Sequence, residues 1–344
     1  MTDESDEVLT RIDGDVGLIT LNRPKAINSL NQQMVDALGA ILTDWADDDA
    51  VRAVVLSGAG ERGLCAGGDV VSIYHSARKD GVEARRFWRD EYLLNAQIAD
   101  FSKPYVALMD GIVMGGGVGV SAHANIRVVT DTSKVAMPEV GIGFVPDVGG
   151  AFLLSRAPGG LGLHAALTGA PFSGADAIAM GFADHYVPHP DLEAFTRSIV
   201  ADGVQGALAK HAVEPPPSEL AAQRHWIDDC YAAETVEDIV ANLRGHGGPA
   251  AEAADLISTR SPISLSVTLE AVRRAAKLET VKDVLVQDYR VSSASLRSHD
   301  LVEGIRAQLI DKDRNPKWSP ATLGAVTAAD VEAYFTPVDD DLSF

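Results

Sequence analysis

The chain is poor in cysteine and in positive charge, and it has no long apolar run. Cys65 and Cys230 are its only cysteines among 344 residues, too few for a disulfide framework. Lys and Arg number 29 against 49 Asp and Glu, a formal net charge of -20. So acidic a surface disfavours nonspecific binding to nucleic acid or to an anionic membrane. It also repels a polyanionic ligand at long range, so such a ligand needs local Lys, Arg or backbone donors. No apolar run reaches the ~18 residues of a membrane span. Residues 1–7 are acidic with no apolar stretch, unlike a secretory signal or an Arg-rich transit peptide. The expectation is a cytoplasmic protein. What remains is ordinary for a globular chain: 46% hydrophobic and 23% charged, long enough for one large domain or two smaller ones.

Val8 to Leu21 reads as strand, turn, strand, with Asp13-Gly14-Asp15 as the turn. Asn31 to Trp45 places Met34, Val35, Leu38, Ile41 and Leu42 at a helical period, with Asn31 as its cap. Val51–Gly58, Tyr105–Met109, Arg127–Thr130 and Lys134–Met137 read as short strands. Gly81–Ala99 reads as a helix, and another begins at Gly116. Strands alternating with helices predict an α/β layout. Glu214-Pro215-Pro216-Pro217-Ser218 is the clearest boundary, because consecutive prolines favour an extended connector. It divides the chain into a core domain, 1–213, and a mainly helical region, 214–344. Helices are expected there over Ser218–Cys230, Thr235–Arg244, Ala250–Ser258, Ser261–Lys277 and Thr280–Ser298.

Two glycine clusters stand out. One is Cys65-Ala66-Gly67-Gly68-Asp69; the other is Gly115-Gly116-Gly117, between apolar runs. Without a Cβ, backbone N–H groups can approach a ligand. Two such donors converging on one oxygen make an oxyanion hole, although a plain strand-to-helix turn has the same look. Two acids follow, Glu139 in Met137-Pro138-Glu139 and Asp147 in Pro146-Asp147-Val148-Gly149-Gly150. Backbone donors and carboxylates together suit oxyanion stabilisation and proton or water transfer. Plainer roles also exist. Glu139 could cap a turn after Pro138, Asp147 could cap a helix near Gly149, and Glu91 could lie on a solvated helix face. Gly117-Val118-Gly119-Val120-Ser121-Ala122 is a weak dinucleotide match without its strand. Gly119-Val120-Ser121-Ala122-His123 misses the last glycine of a nucleophile elbow. The nine histidines show no His-Glu-x-x-His spacing, so no metal site is expected.

These motifs resemble the crotonase (enoyl-CoA hydratase/isomerase) superfamily, most closely its 3-hydroxyisobutyryl-CoA hydrolase branch. The resemblance spans roughly residues 8–335. It implies a crotonase-type spiral of repeated ββα turns followed by a helical region. It implies that Gly68 and Gly116 supply the oxyanion-hole amides. Leu21-Asn22-Arg23-Pro24-Lys25-Ala26-Ile27-Asn28-Ser29-Leu30 looks like the family's CoA-contact segment, with Lys25 toward a phosphate. Ala66 and Asp69, in the first glycine turn, join it as substrate-binding candidates. Typical hydratases carry a glutamate three residues after the middle glycine; this chain has Gly119 there. Glu139 matches the second family glutamate. Asp147 resembles the aspartate of the hydrolase branch, and Trp88-Arg89-Asp90-Glu91-Tyr92 adds Glu91. The segments Ser292–Arg297, His299–Ala307, Asp311–Asp313 and Pro316–Trp318 extend the likeness without assigned roles.

The implied activity is hydrolysis of a short branched 3-hydroxyacyl-CoA, as in valine breakdown. CoA would be part of the substrate, with no metal or redox cofactor. The partner is an acyl-CoA, not nucleic acid or membrane, and a homo-oligomer is left open. A lyase using Glu139 with Asp147, and a non-catalytic binding protein, stand as alternatives.

Overall fold

The computed structural model describes residues 6–344. The leader reading for residues 1–7 lies mostly outside them. Among the described residues, nine strands and a series of helices follow the expected alternation. The strands are β1 (Val8–Asp13), β2 (Val16–Leu21), β3 (Ala53–Gly58), β4 (Tyr105–Met109), β5 (Ile112–Met114), β6 (Ile126–Val129), β7 (Lys134–Ala136), β8 (Phe172–Ser173) and β9 (His185–Tyr186). A six-stranded sheet runs β1-β2-β3-β4-β6-β9, and a small second sheet runs β5-β7-β8. The β1–β2 hairpin is antiparallel and every later pairing in the large sheet is parallel. Parallel strands need both faces covered, and β4 is accordingly buried at all five positions.

The chain folds into two compact units. The first comprises 1–68, 93–135 and 172–219; the second comprises 69–92, 136–171 and 220–344. The last crossing, at Glu219–Leu220, falls close to the proline run, while the two earlier excursions carry no compositional mark.

Within the first unit, one sheet face packs on helix Leu192–His211. Val16, Leu18, Val55, Val106 and Val128 meet Phe195, Ile199, Val204 and Leu208 there. Gly203, at φ 74° and ψ 169°, breaks that helix. No helix was expected there, because the break interrupts its apolar period. Helix α1 (Gln32–Asp47) is capped as expected, Asn31 Oδ1 accepting from the Met34 amide at 2.9 Å. It lays Trp45 against the bare backbone of Gly17.

Four further helices carry or adjoin candidate site residues: α2 (Val70–Ala77), α3 (Val82–Ala99), α4 (Gly116–Gly119) and α5 (Gly150–Arg156). The expected helix at Gly116 is one turn long. In the second unit the C-terminal helices appear close to their expected bounds. They are Val236–His246, Pro249–Ile257, α6 (Pro262–Ala275) and α7 (Val281–Ser295), and a further helix that the sequence did not predict, α8 (His299–Ile305), follows them. Thr235, Ser261 and Thr280 cap three of them. The expected helix 218–230 is two pieces, Glu219–Ala222 and Arg224–Tyr231, because only the second has a buried face, Trp226, Ile227, Cys230 and Tyr231.

Candidate active site

The first unit builds a cradle of backbone donors. Cys65 bridges to Val113, Gly63 to Gly111, and Leu30 to Gly68. The two glycine clusters therefore lie against each other. A Cβ on Gly67 would sit 3.4 Å from the Met114 carbonyl oxygen and 3.8 Å from the Gly116 nitrogen. A Cβ on Gly117 would strike the Cys65 carbonyl, so glycine here permits a contact that no other residue allows. Gly115, at φ 49°, turns the chain into α4. The Gly116 amide opens that helical turn, and helix-start amides lack internal partners. Neither the Gly68 nor the Gly116 amide donates to another group among the described residues.

The other glycine-turn candidates have structural partners. Ala66 N–H donates to the Ile27 carbonyl at 2.9 Å. Asp69 caps α2, accepting from the Ser72 amide at 3.3 Å. Lys25 is exposed on the 3₁₀ turn Pro24–Ala26, whose backbone Arg62 holds by donating to the Lys25 carbonyl at 2.7 Å. Asn28 is a residue that spacing did not flag. It is buried at φ 54° and its amide donates to the carbonyls of Ala59, Gly63 and Leu64. It thereby ties the Lys25 segment to the first glycine turn.

The second unit gathers the carboxyls. Glu91 on α3, Glu139 at the start of the 3₁₀ turn Glu139–Ile142, and Asp147 before α5 are 2%, 7% and 5% exposed. That burial removes the plainer roles. Glu91 faces inward, and its Oε1 has no hydrogen-bond partner among the described residues. Glu139 Oε2 is likewise unpartnered. Asp147 does not cap α5; Gly149 occupies the cap position with no side-chain bond. Instead, Asp147 Oδ2 accepts from the Tyr92 hydroxyl at 2.7 Å. Val148, at φ 53°, is a β-branched residue in the left-handed region, a strain that costs ~1–3 kcal/mol and collects at functional sites.

Among the described residues, no cation forms an ion pair with Glu91, Glu139 or Asp147. Burial, then the nearby Asp147 charge, pushes Glu91 well above the usual carboxyl range. Burial, then Asp147 and Glu91, does the same to Glu139, opposed by its own backbone amide. Burial raises Asp147 to about 7, against the opposing hydrogen bonds from Tyr92 and its own amide. Asp288 on α7 is a fourth buried acid, also raised by burial. Burial and mutual repulsion favour the protonated forms of these carboxyls, which suits them to acid–base work.

The Glu139 turn has its own support. Phe144 stacks on Trp88 of α3, ring centroids 5.2 Å apart. A Cβ on Gly143 would collide with the Asp300 carbonyl, and one on Gly304 with the Ile142 carbonyl. Asp300 and Gly304 belong to α8, so the 299–307 segment serves as the floor of this turn. Asp300 is itself fully buried and accepts from Ser261 Oγ at 2.6 Å and the Ser319 amide at 2.7 Å.

The amides of the first unit suit oxyanion stabilisation, and the buried carboxyls of the second suit acid–base work. The chain belongs to the enoyl-CoA hydratase/isomerase family, whose model matches residues 16–335. Mitochondrial 3-hydroxyisobutyryl-CoA hydrolase of Mus musculus is 40% identical over all of this chain and 92% of its own length. The Homo sapiens protein of that name is 38% identical over the same shares. Two solved structures share the fold across nearly the whole chain. A carnitinyl-CoA dehydratase from Mycobacterium thermoresistibile is 70% identical, with a TM-score of 0.97 and 99% of each chain covered. An enoyl-CoA hydratase from Rhodobacter sphaeroides is 39% identical, with a TM-score of 0.93, covering 98% of this chain and 100% of its own. The α/β crotonase fold with a helical C-terminal region is thus established.

Proposed function

We propose that the protein hydrolyses 3-hydroxyisobutyryl-CoA to 3-hydroxyisobutyrate and CoA, a step of valine breakdown. The buried set Glu91–Glu139–Asp147, with a bare glycine at position 119, carries this reading. Gly119 is buried inside α4, so the carboxylate that a two-glutamate hydratase uses there is missing. The relatives named 3-hydroxyisobutyryl-CoA hydrolase support the same choice over the full chain.

Roles follow from chemistry. The Gly68 and Gly116 amides receive the charge that develops on the thioester oxygen; one such donor is typically worth ~3 kcal/mol of barrier. Glu139, with a lone oxygen unpartnered, attacks the carbonyl carbon, and the C–S bond breaks as CoA leaves as thiolate. The resulting mixed anhydride is then opened by water, whose proton passes to Asp147. In the other route Glu139 is the base toward water and no anhydride forms. Turnover in H₂¹⁸O tests for the anhydride, because water attack at its glutamyl carbonyl places label in the Glu139 carboxyl, which the general-base route never does. Asp147, poised near neutrality, holds the 3-hydroxyl or the water, with Glu91 supporting it. Lys25, Ala66 and Asp69 are assigned to substrate contact, Lys25 toward phosphate. No metal or redox group enters these steps, so activity should survive exhaustive chelation.

A dehydratase reading is favoured by one observation, the 70% identical structure named for carnitinyl-CoA dehydration. Free thiol and enoyl absorbance, followed separately with 3-hydroxyisobutyryl-CoA, carnitinyl-CoA and crotonyl-CoA, distinguish the two. Thiol release from the first substrate supports hydrolysis; enoyl formation or loss without thiol supports a lyase. The net charge of -20 argues against an RNA-binding role. Cytoplasmic placement is supported by a chain with two cysteines, too few for a disulfide framework, and is read by cell fractionation, since the mouse hydrolase relative is mitochondrial. No helix among the described residues is long and apolar enough to cross a membrane. Sedimentation of the full chain reads the oligomeric state.

A further inference from the structure

We propose that Ser292, Tyr92 and Asp288 are positioning residues for Asp147: the two hydroxyls orient its carboxylate, and Asp288 anchors the turn that carries it. All four belong to the second unit. Ser292 Oγ lies 2.6 Å from Tyr92 Oη, which lies 2.7 Å from Asp147 Oδ2. Tyr92 has one proton. With Asp147 ionised, that proton points to Oδ2, and the Tyr92 oxygen must accept from Ser292. The chain of donors then runs Ser292 to Tyr92 to Asp147, each bond polarising the next. It engages Oδ2 and leaves Oδ1 as the oxygen that meets water or a substrate hydroxyl.

Asp288 works one turn earlier on the same face of α7, because positions four apart are neighbours on a helix. Its Oδ2 accepts from the Gly149 amide at 2.8 Å. Val148 and Gly149 are both left-handed, at φ 53° and 74°, a shape that persists only where contacts over-determine it. The Asp288 bond is such a contact. One helix face therefore fixes both the turn's backbone and, through Tyr92, the direction of the carboxyl. Three buried polar groups drawn from two helices serve one acid and its turn: Tyr92 bonds Asp147, Ser292 bonds Tyr92, and Asp288 bonds the Gly149 amide. The charged and titratable groups facing Asp147 are Glu91 and Tyr92 on α3, Glu139 on its 3₁₀ turn, and Asp288 on α7. Tyr92 is the neighbour among them that stabilises the carboxylate form.

The relay is a property of the resting protein, whereas its effect on turnover rests on the hydrolase reading. Infrared difference titration of protein labelled at aspartate carboxyl carbons, with Asp147→Asn as the reference, follows Asp147 without substrate. Wild type is expected to titrate at about 7. Tyr92→Phe should raise the midpoint by about one pH unit or more, a tenfold change in the protonation equilibrium, since bonds to charged groups are the strong ones. Ser292→Ala should shift it the same way by less, and it serves as the readout if Tyr92→Phe fails to fold. In thiol-release assays the Tyr92→Phe kcat should fall at pH 7 and recover as pH rises past the new midpoint, with KM little changed. A merely structural loss would not recover. Asp288→Asn keeps an acceptor for the Gly149 amide and should retain most turnover, while Asp288→Ala should lose it. Unmoved midpoints in both hydroxyl variants would overturn the relay, and equal impairment of the two Asp288 variants would overturn the anchor. Absence of thiol release from wild type would instead defeat the hydrolase reading and leave the titration result standing.

Discussion

At the residue scale, Glu139 and Asp147, the acids to which we assign the chemistry, are both legible in the sequence. Each sits beside proline and near glycine in a segment too irregular for a helix or strand, where an acid has few structural duties. Glu91 was legible only through family likeness, because on a helix its spacing equals that of any surface acid; burial separates it from them. Tyr92, Ser292 and Asp288 were not legible as a set. Tyr92 and Ser292 are 200 residues apart in sequence, and no local pattern marks a hydroxyl that will meet another across that interval. Glu139→Gln keeps size and hydrogen bonding but cannot act as nucleophile or base. Turnover should drop about 10³-fold or more while the near-UV circular dichroism stays unchanged; retention of a tenth of wild-type turnover would remove Glu139 from the mechanism. Asp147→Asn should depress thioester hydrolysis of the hydroxylated substrate far more than it weakens CoA binding, because the lost contact is at the reacting end. Equal losses in both measurements would place Asp147 elsewhere.

At the element scale, the hairpin β1–β2, helix α1 and the capped helices at Thr235, Ser261 and Thr280 follow from period and cap residues. Helices that escaped notice have reasons. The break at Gly203 divides helix Leu192–His211, and α8 is only seven residues long. Short helices gain their stability from packing, which a sequence window does not show. The α8 packing has a testable consequence. Gly304→Ala would place a methyl against the Ile142 carbonyl and push the Glu139 turn off its floor. Turnover should fall by at least tenfold, with a melting temperature lowered by several degrees, as for overpacking that costs ~1–3 kcal/mol. A variant with normal kcat and stability would show that the turn does not depend on α8.

At the scale of the whole molecule, the acid cluster sets a pH dependence of stability. Glu91, Glu139, Asp147 and Asp288 all have native pKa values raised above their unfolded ones. Folding therefore favours their protonated forms. This contribution is fully present below the unfolded pKa and is lost as pH rises toward the native one. For Asp147 the window runs from 3.8 to about 7. Glu91→Gln removes one of these charges. Its melting temperature should exceed wild type at pH 8 and lose that advantage toward pH 5; an advantage independent of pH would contradict the account. The division of the chain at the proline run, 1–213 and 214–344, is a proposal of the same scale. Limited proteolysis should nick near 214–218 before elsewhere.

The central claim is that this crotonase fold cleaves a thioester. Purified full-length protein, given 3-hydroxyisobutyryl-CoA, is assayed for free thiol, with crotonyl-CoA followed in parallel by enoyl absorbance. Stoichiometric CoA release with little hydration of crotonyl-CoA is the expected result. Rapid hydration of crotonyl-CoA with no CoA released from any 3-hydroxyacyl-CoA would contradict it.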